Sequence, residues 1–164
     1  MYKRQVLVLN TPQQPISRAK QRELTAFMER GGVVILTCGY KHYPNCKGLL
    51  DAMGLGVDST PLGRFFDRPA FGRPIQFFSA WPIRVHRSDA SILCAYDQWP
   101  LIVDVPVGAG HLVVIGDSEF LHNKNLESLE RYALPNIEFL RDLLDYTTGG
   151  MGGGEPAGEG STGP

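Results

Sequence analysis

Within these 164 residues, Gly108 to Asn125 (GAGHLVVIGDSEFLHNKN) holds the densest set of side chains able to do chemistry. An apolar run from Leu112 to Ile115 stops at Gly116, and Asp117, Ser118, Glu119, His122, Asn123 and Asn125 follow at once. The run reads as a buried strand. Polar residues just past its carboxyl end fall where the loops of an open α/β sheet diverge and leave a crevice for ligands. Asp117 and Ser118 have the oxygen chemistry to hold a metal ion, a sugar hydroxyl or a phosphate. Capping is the reading favoured here, since Asp or Ser at a strand-to-helix turn accepts backbone N–H bonds. The two roles can coexist. His122 changes charge near neutral pH and has the chemistry of an acid–base group, although loop polarity explains it as well. Asn123 and Asn125 suit turns as readily as ligands. The expected ligand-binding set is Asp117, Ser118, His122 and Asn123.

A second constellation lies earlier. Cys38-Gly39 follows another apolar run, with His42 close by. A thiol nucleophile needs a lowered pKa and a base within hydrogen-bond reach, so Cys38 and His42 are the secondary, catalytic candidates. Cys38, His42, Cys46 and His86 are metal-ligand types, but their spacing matches no compact zinc pattern, and no metal site is expected. Three cysteines are too few and uneven for a disulfide framework. They read as reduced, partly buried thiols, with a Cys38–Cys46 disulfide left open. No GxGxxG follows the first strand and no P-loop string occurs, so no nucleotide cofactor is expected.

The middle of the chain interleaves arginine with aromatics: Arg64, Phe65, Phe66, Arg68, Phe71, Arg73, Phe77, Phe78, Trp81, Arg84 and Arg87. Such residues can grip single-stranded nucleic acid, and they are also enriched at protein interfaces. Asp67 and Asp89 dilute the charge and the chain carries a net charge of -1, so nucleic acid is not the expected partner. Arg64, Phe65, Phe66, Arg68, Phe71 and Trp81 are expected to form an interface with another chain or to pack locally.

These residues need a frame to position them. The composition, 43% hydrophobic and 20% charged, is that of an ordinary globular domain. No apolar run approaches the ~20 residues of a membrane helix. No signal-peptide pattern opens the chain, so the default expectation is cytoplasmic. Gln5 to Asn10 reads as a strand covered on both faces, as in parallel sheets. Ser17 is a good N-cap for a helix over Arg18 to Arg30, stopped by Gly31 and Gly32. Val33 to Thr37 is the next strand. A short helix is expected over Asn45 to Met53. The pattern then dissolves from Gly56 to Pro82. Ile83 to His86 reads as a strand, and Ser91 to Tyr96 with Leu101 to Val105 as a hairpin. Val107 to Gly110 turns the chain into His111 to Ile115. A last helix begins near Pro135 and runs to Tyr146. Residues 1–146 form the domain. Residues 147–164 are Gly-rich and too poor in apolar side chains to pack, so they read as a disordered tail or linker.

The strings LVLNTPQQPIS, ERGGVVIL, GAGHLVVIGDSEFL and PNIEFLRDLL together resemble the GIFT/DUF4350 group. That group includes extracytoplasmic domains of gliding-motility-type ABC-transporter auxiliary proteins and the N-terminal domain of an intraflagellar-transport subunit. It is related in fold to ThuA-like and class I glutamine-amidotransferase-like proteins. The resemblance implies a flavodoxin-like α/β domain with a mostly parallel sheet flanked by helices. It also implies one more β-α unit ahead of Gln5 to Asn10, whose lack would leave an open sheet edge. The amidotransferase relatives carry a Gly-x-Cys-x-Gly elbow, and the string Leu36 to Tyr40 (LTCGY) lacks its first glycine. The functional expectation is therefore a non-catalytic binding or scaffolding domain tied to a bacterial transport or envelope assembly. Its partner would be another protein chain or a second copy of itself. Two alternatives are a hydrolase or amidotransferase-like enzyme using Cys38 and His42, and a carbohydrate-binding module at the Asp117 crevice.

Overall fold

The computed structural model describes residues 5–126 and 134–149, with backbone alone at 65–67, 124 and 134. The chain runs β1 (Val6–Asn10), α1 (Arg18–Glu29), β2 (Val33–Thr37), a 3-10 turn (Tyr40–His42) and α2 (Tyr43–Ala52). It continues through β3 (Leu55–Val57), β4 (Gly63–Ala70), β5 (Arg73–Ala80), β6 (Ile83–Val85) and β7 (Ser91–Tyr96). It ends with β8 (Trp99–Val107), β9 (Gly110–Ile115), α3 (Asn123–Leu126) and α4 (Leu134–Thr148).

Five strands form the main sheet in the order β1-β2-β9-β8-β7. Two pairings in it, β1 with β2 and β2 with β9, are parallel. The pairings β9–β8, β8–β7, β3–β6 and β4–β5 are all antiparallel. The expected flavodoxin-like, mostly parallel sheet is therefore corrected to a mixed α/β arrangement in which antiparallel pairing prevails. The cause is local. Only Asp97 and Gln98 separate β7 from β8, and only Gly108 and Ala109 separate β8 from β9. A connection that short joins antiparallel strands, because a parallel crossover needs a dozen residues or more. Asp97 (φ 52) and Gly108 (φ 60) take the left-handed backbone that such turns require.

β2 and β9 are buried along nearly their whole length. Their alternate residues feed two cores. Val34, Leu36, Leu112 and Val114 face Leu24 and Met28 of α1 and Cys46, Leu49 and Leu50 of α2. Val33, Ile35, Val113 and Ile115 face Ile75 and Phe77 of β5 and Phe139 and Leu143 of α4. Ser17 caps α1, accepting from Lys20 N, and Gly31 (φ 99) ends it. The Gly108-Ala109-Gly110 turn presses on this junction. A Cβ on Gly110 would sit 2.0 Å from Gly32 O, so only glycine fits there.

The patternless middle is also corrected: it holds the β4–β5 hairpin, laid over the second face of the sheet. Arg73 joins it to α4 through Glu138 and Asp142. The Asn136 amide acts like a strand backbone, accepting from Gln76 N at 2.7 Å and donating to Gln76 O at 3.0 Å. α4 runs two residues beyond Tyr146, and Thr147 is buried. The rest of the expected tail, 150–164, lies outside the described residues.

β1 is an edge strand, not one covered on both faces. Leu7 and Val8 are 37% and 48% exposed. Gln5 O accepts from Val33 N, and Thr11 N donates to Thr37 O. Odd-numbered residues thus turn their backbone groups to β2, and Val6, Val8 and Asn10 turn theirs outward. Among the described residues no strand pairs on that side. Among the described residues the β4–β5 hairpin meets the sheet at β7, the opposite edge. No helix among the described residues is long and apolar enough to cross a membrane.

Candidate functional site

The three parallel strands end side by side, so their following residues meet at one end of the sheet. Asn10, Thr11, Gln13, His42, Ser118, Glu119 and His122 line a cleft of about 450 Å³ there. Thr11 is its hinge. It is 6% exposed and sits at φ 47, an outlier for a β-branched residue that costs about 1–3 kcal/mol. Packing and hydrogen bonds hold it. Its N–H reaches Thr37 Oγ1 at 3.0 Å, and its hydroxyl donates to Ser118 O at 2.7 Å. Its Oγ1 also lies 3.1 Å from Thr37 Oγ1, which in turn donates to Asn10 Oδ1 at 2.8 Å. The polar chain ties β1, β2 and the loop after β9 together at the floor of the cleft.

Other residues brace the rim. Gly116 lets the backbone of Trp81 approach. Trp81 N donates to Gly116 O at 2.6 Å, and a Cβ on Gly116 would lie 2.1 Å from Trp81 O. Gly39 packs against the Trp81 ring and Ser118 Oγ. Tyr40, 43% exposed, stacks on Trp81 with ring centroids 5.7 Å apart and planes 25° apart. The 3-10 turn that carries Tyr40 delivers His42 to the cleft. His42 Nδ1 is buried with no hydrogen-bond partner among the described residues.

The expected site residues separate. Ser118 and His122 line the cleft, and Asn123 opens α3 outside its lining. Asp117 points away from the cleft and is fully buried. Its Oδ2 accepts from Phe78 N at 2.6 Å and Ser79 N at 3.0 Å, and its Oδ1 from Glu119 N at 2.8 Å. Burial pushes its carboxyl above the ordinary carboxylate range, against the opposing pull of the Ser79, Glu119 and Phe78 N–H groups. It is a brace that ties β5 to the end of β9.

Cys38 and His42 are also parted. Cys38 is fully buried in the α1–α2 core, with its Sγ 3.4 Å from Gly39 O. Its hydrogen bond with the Cys46 thiol, reinforced by burial, raises its pKa and keeps it protonated, while the same bond lowers that of Cys46. All three cysteines are free and buried. No group of three or more His, Cys, Asp or Glu side chains among the described residues could hold a metal ion.

Much of the arginine–aromatic set is used internally. The Arg68 guanidinium lies 4.8 Å over the Tyr96 ring and that of Arg64 lies 5.4 Å over Phe78. Phe71 stacks on Phe139 at 5.8 Å and meets Tyr146 at 5.3 Å. The Phe65 and Phe66 side chains lie outside the described residues. Asn10, Thr11, Gln13 and Glu119 were not among the expected ligand residues. The carboxyl-end rule, applied to the first strand as well as the last, points to Asn10 and Thr11.

A family model described as a domain of unknown function, DUF4350, matches residues 3–144. No curated protein sequence matches the chain. Among solved structures, the mmIFT52 N-terminal domain shares the fold at 14% identity and TM-score 0.69, over 88% of this chain and 77% of that one. The exo-beta-1,4-mannosidase Op5Man5 from Opitutaceae bacterium strain TAV5 matches at 15% identity and TM-score 0.57, over 83% of this chain. Gan42B, a GH42 beta-galactosidase from G. stearothermophilus, matches at 16% identity and TM-score 0.58, over 88% of this chain. This chain spans only 25% of the mannosidase and 21% of the galactosidase. At these identities the likeness is one of fold.

Proposed function

The chain belongs to the DUF4350 family, and from that footing we propose a non-catalytic binding domain whose cleft takes a small, hydroxyl-rich ligand such as a sugar. The observation that carries this reading is the cleft lining. Asn10, Gln13 and Ser118 bring neutral hydrogen-bonding side chains, beside His42, Glu119 and His122, around the buried, strained turn at Thr11. Convergent, preorganised polar groups are what fix a small ligand's orientation. The exposed Tyr40 ring, backed by Trp81, adds a flat apolar surface on the turn that carries His42. The buried, protonated Cys38 thiol speaks against nucleophilic chemistry. The fold also recurs within a mannosidase and a galactosidase, enzymes named for carbohydrate substrates. Titration of labelled protein with mannose and with galactose should shift the amides of Asn10, Thr11 and Ser118 while sparing β7. The expected dissociation constant is about 1 mM, some 4 kcal/mol. Cleft amides that stay fixed with both sugars would remove the carbohydrate reading.

A scaffolding role stands beside it, favoured by the open β1 edge. Val6 to Leu9 carries no charge and no proline, the usual protections of such an edge. Another chain or a second copy can add a strand there through the outward groups of Val6, Val8 and Asn10. The attachment to a transport or envelope assembly draws on the resemblance to gliding-motility-type auxiliary domains of the GIFT group. Light scattering at micromolar concentration should then give a mass above the 18.1 kDa of one chain, reduced to that value by Val8→Lys. A monomer whose Val6 and Val8 amides resist hydrogen exchange would mean the edge is covered within the chain.

A further inference from the structure

The floor of the cleft holds a countable set of protons. Thr11 and Thr37 own one hydroxyl proton each. Ser118 O is a carbonyl and can only accept, so the 2.7 Å contact fixes the Thr11 proton on it. Thr37 Oγ1 accepts the Thr11 N–H at 3.0 Å. Two contacts remain for the single Thr37 proton: Thr11 Oγ1 at 3.1 Å and the Asn10 side-chain amide at 2.8 Å. With the Asn10 oxygen turned to Thr37, as the structure places it, the Thr37 proton goes there. The two threonine oxygens then face each other in a buried site with no proton between them. If Asn10 turns its nitrogen to Thr37, every contact has its donor. The chain then runs from Asn10 Nδ2–H to Thr37 Oγ1, from the Thr37 hydroxyl to Thr11 Oγ1, and from the Thr11 hydroxyl to Ser118 O. Oxygen and nitrogen of an amide occupy equivalent positions and are assigned by the network around them.

We propose that the Asn10 amide is turned over from that placement, so that its nitrogen donates to Thr37 and its carbonyl oxygen faces the cleft, which makes it a specificity-determining residue for ligands that bring hydrogen-bond donors. This rests on the cleft being the binding site, and it deepens that reading. Asn10 Oδ1 joins the Glu119 side chain as an acceptor on the cleft wall. A sugar hydroxyl or another O–H or N–H donor satisfies them. A ligand offering only acceptors meets lone pairs at this wall, a mismatch of the kind that sites built for hydrogen bonds reject strongly.

The orientation can be read without any ligand. In the proposed arrangement one of the two Asn10 amide protons is hydrogen-bonded, so its exchange with water should be slowed about two- to tenfold relative to its geminal partner. Thr37→Val, close in shape, should erase that difference. The Thr11 N–H keeps its bond to Thr37 O in this variant. Equal, fast exchange of both protons in the native protein overturns the proposal whatever the cleft binds. Mannose should then shift the native Asn10 side-chain resonance, and Asn10→Ala should weaken mannose binding about tenfold, the equivalent of 1.4 kcal/mol. One slowed proton with no response to either mannose or galactose upholds the orientation and overturns the binding reading instead.

Discussion

Val114→Asp should abolish cooperative folding. Val114 is fully buried in β9, the middle strand of the sheet, with Leu36 and Val103 as its register partners on either side. Its side chain points into the core beneath α1 and α2, among apolar side chains. An unpaired buried charge costs several kcal/mol, and a domain of this size has about 5–15 kcal/mol in total. The loss of Val114 packing adds to the penalty. The variant should be insoluble or show no thermal transition by circular dichroism. A soluble Val114→Asp protein with a sharp unfolding transition would show that the β9 register is wrong.

Asp117→Ala should lose about 3 kcal/mol or more, because three backbone N–H groups lose their acceptor at about 1–3 kcal/mol each. For a domain this long the melting temperature should drop by roughly 10 °C or more. Asp117→Asn keeps one oxygen and should fall between the two. The pH dependence separates this brace from simple packing. The folded carboxyl titrates above its ordinary value of 3.8 because of burial. A raised acid pKa means stability that is present at low pH and lost as pH rises through the folded value. The native protein should therefore weaken across that interval relative to Asp117→Ala. Urea melts at several pH values measure this difference. An unchanged melting temperature in Asp117→Ala would show that the three N–H groups find other partners.

Local signals carried much of the architecture. The Ser17 cap, the Gly31 stop and the apolar runs at Val33–Thr37 and His111–Ile115 are properties of neighbouring residues and can be read in place. The sheet direction was also legible, in the two-residue turns at Asp97 and Gly108. The family resemblance outweighed that signal and led to a parallel sheet. The β4–β5 hairpin was hidden because Pro69 and Pro74 interrupt its alternation and its strands slip register twice. Its turn, Phe71-Gly72, takes φ values of 50 and 72, and the phenylalanine gives no hint of the first. The site was half legible for a similar reason. Ser118 and His122 follow the strand that announces them, whereas Asn10 and Thr11 join them only once β1 is placed beside β2. Capping is the favoured sequence reading of Asp117, and its bond from Glu119 N is of that kind, but its other partners, Phe78 and Ser79, lie in the stretch that could not be read.

The order of the strands also sets a timetable for synthesis. β2 has β1 as one neighbour, available almost at once, but its other neighbour is β9, with Val33 opposite His111. At about 5–20 residues per second, a ribosome needs roughly 4–16 s to make the stretch between them. For that interval β2 exposes one row of backbone groups and the face, Val33 and Ile35, that later meets β5 and α4. Pairing so far apart in sequence is slow to form even in the finished chain. Insertions between α2 and β8 would cost little at equilibrium, since doubling a loop adds only about 0.6 kcal/mol. They would lengthen the wait, and their effect should appear as a lower soluble yield at an almost unaltered melting temperature.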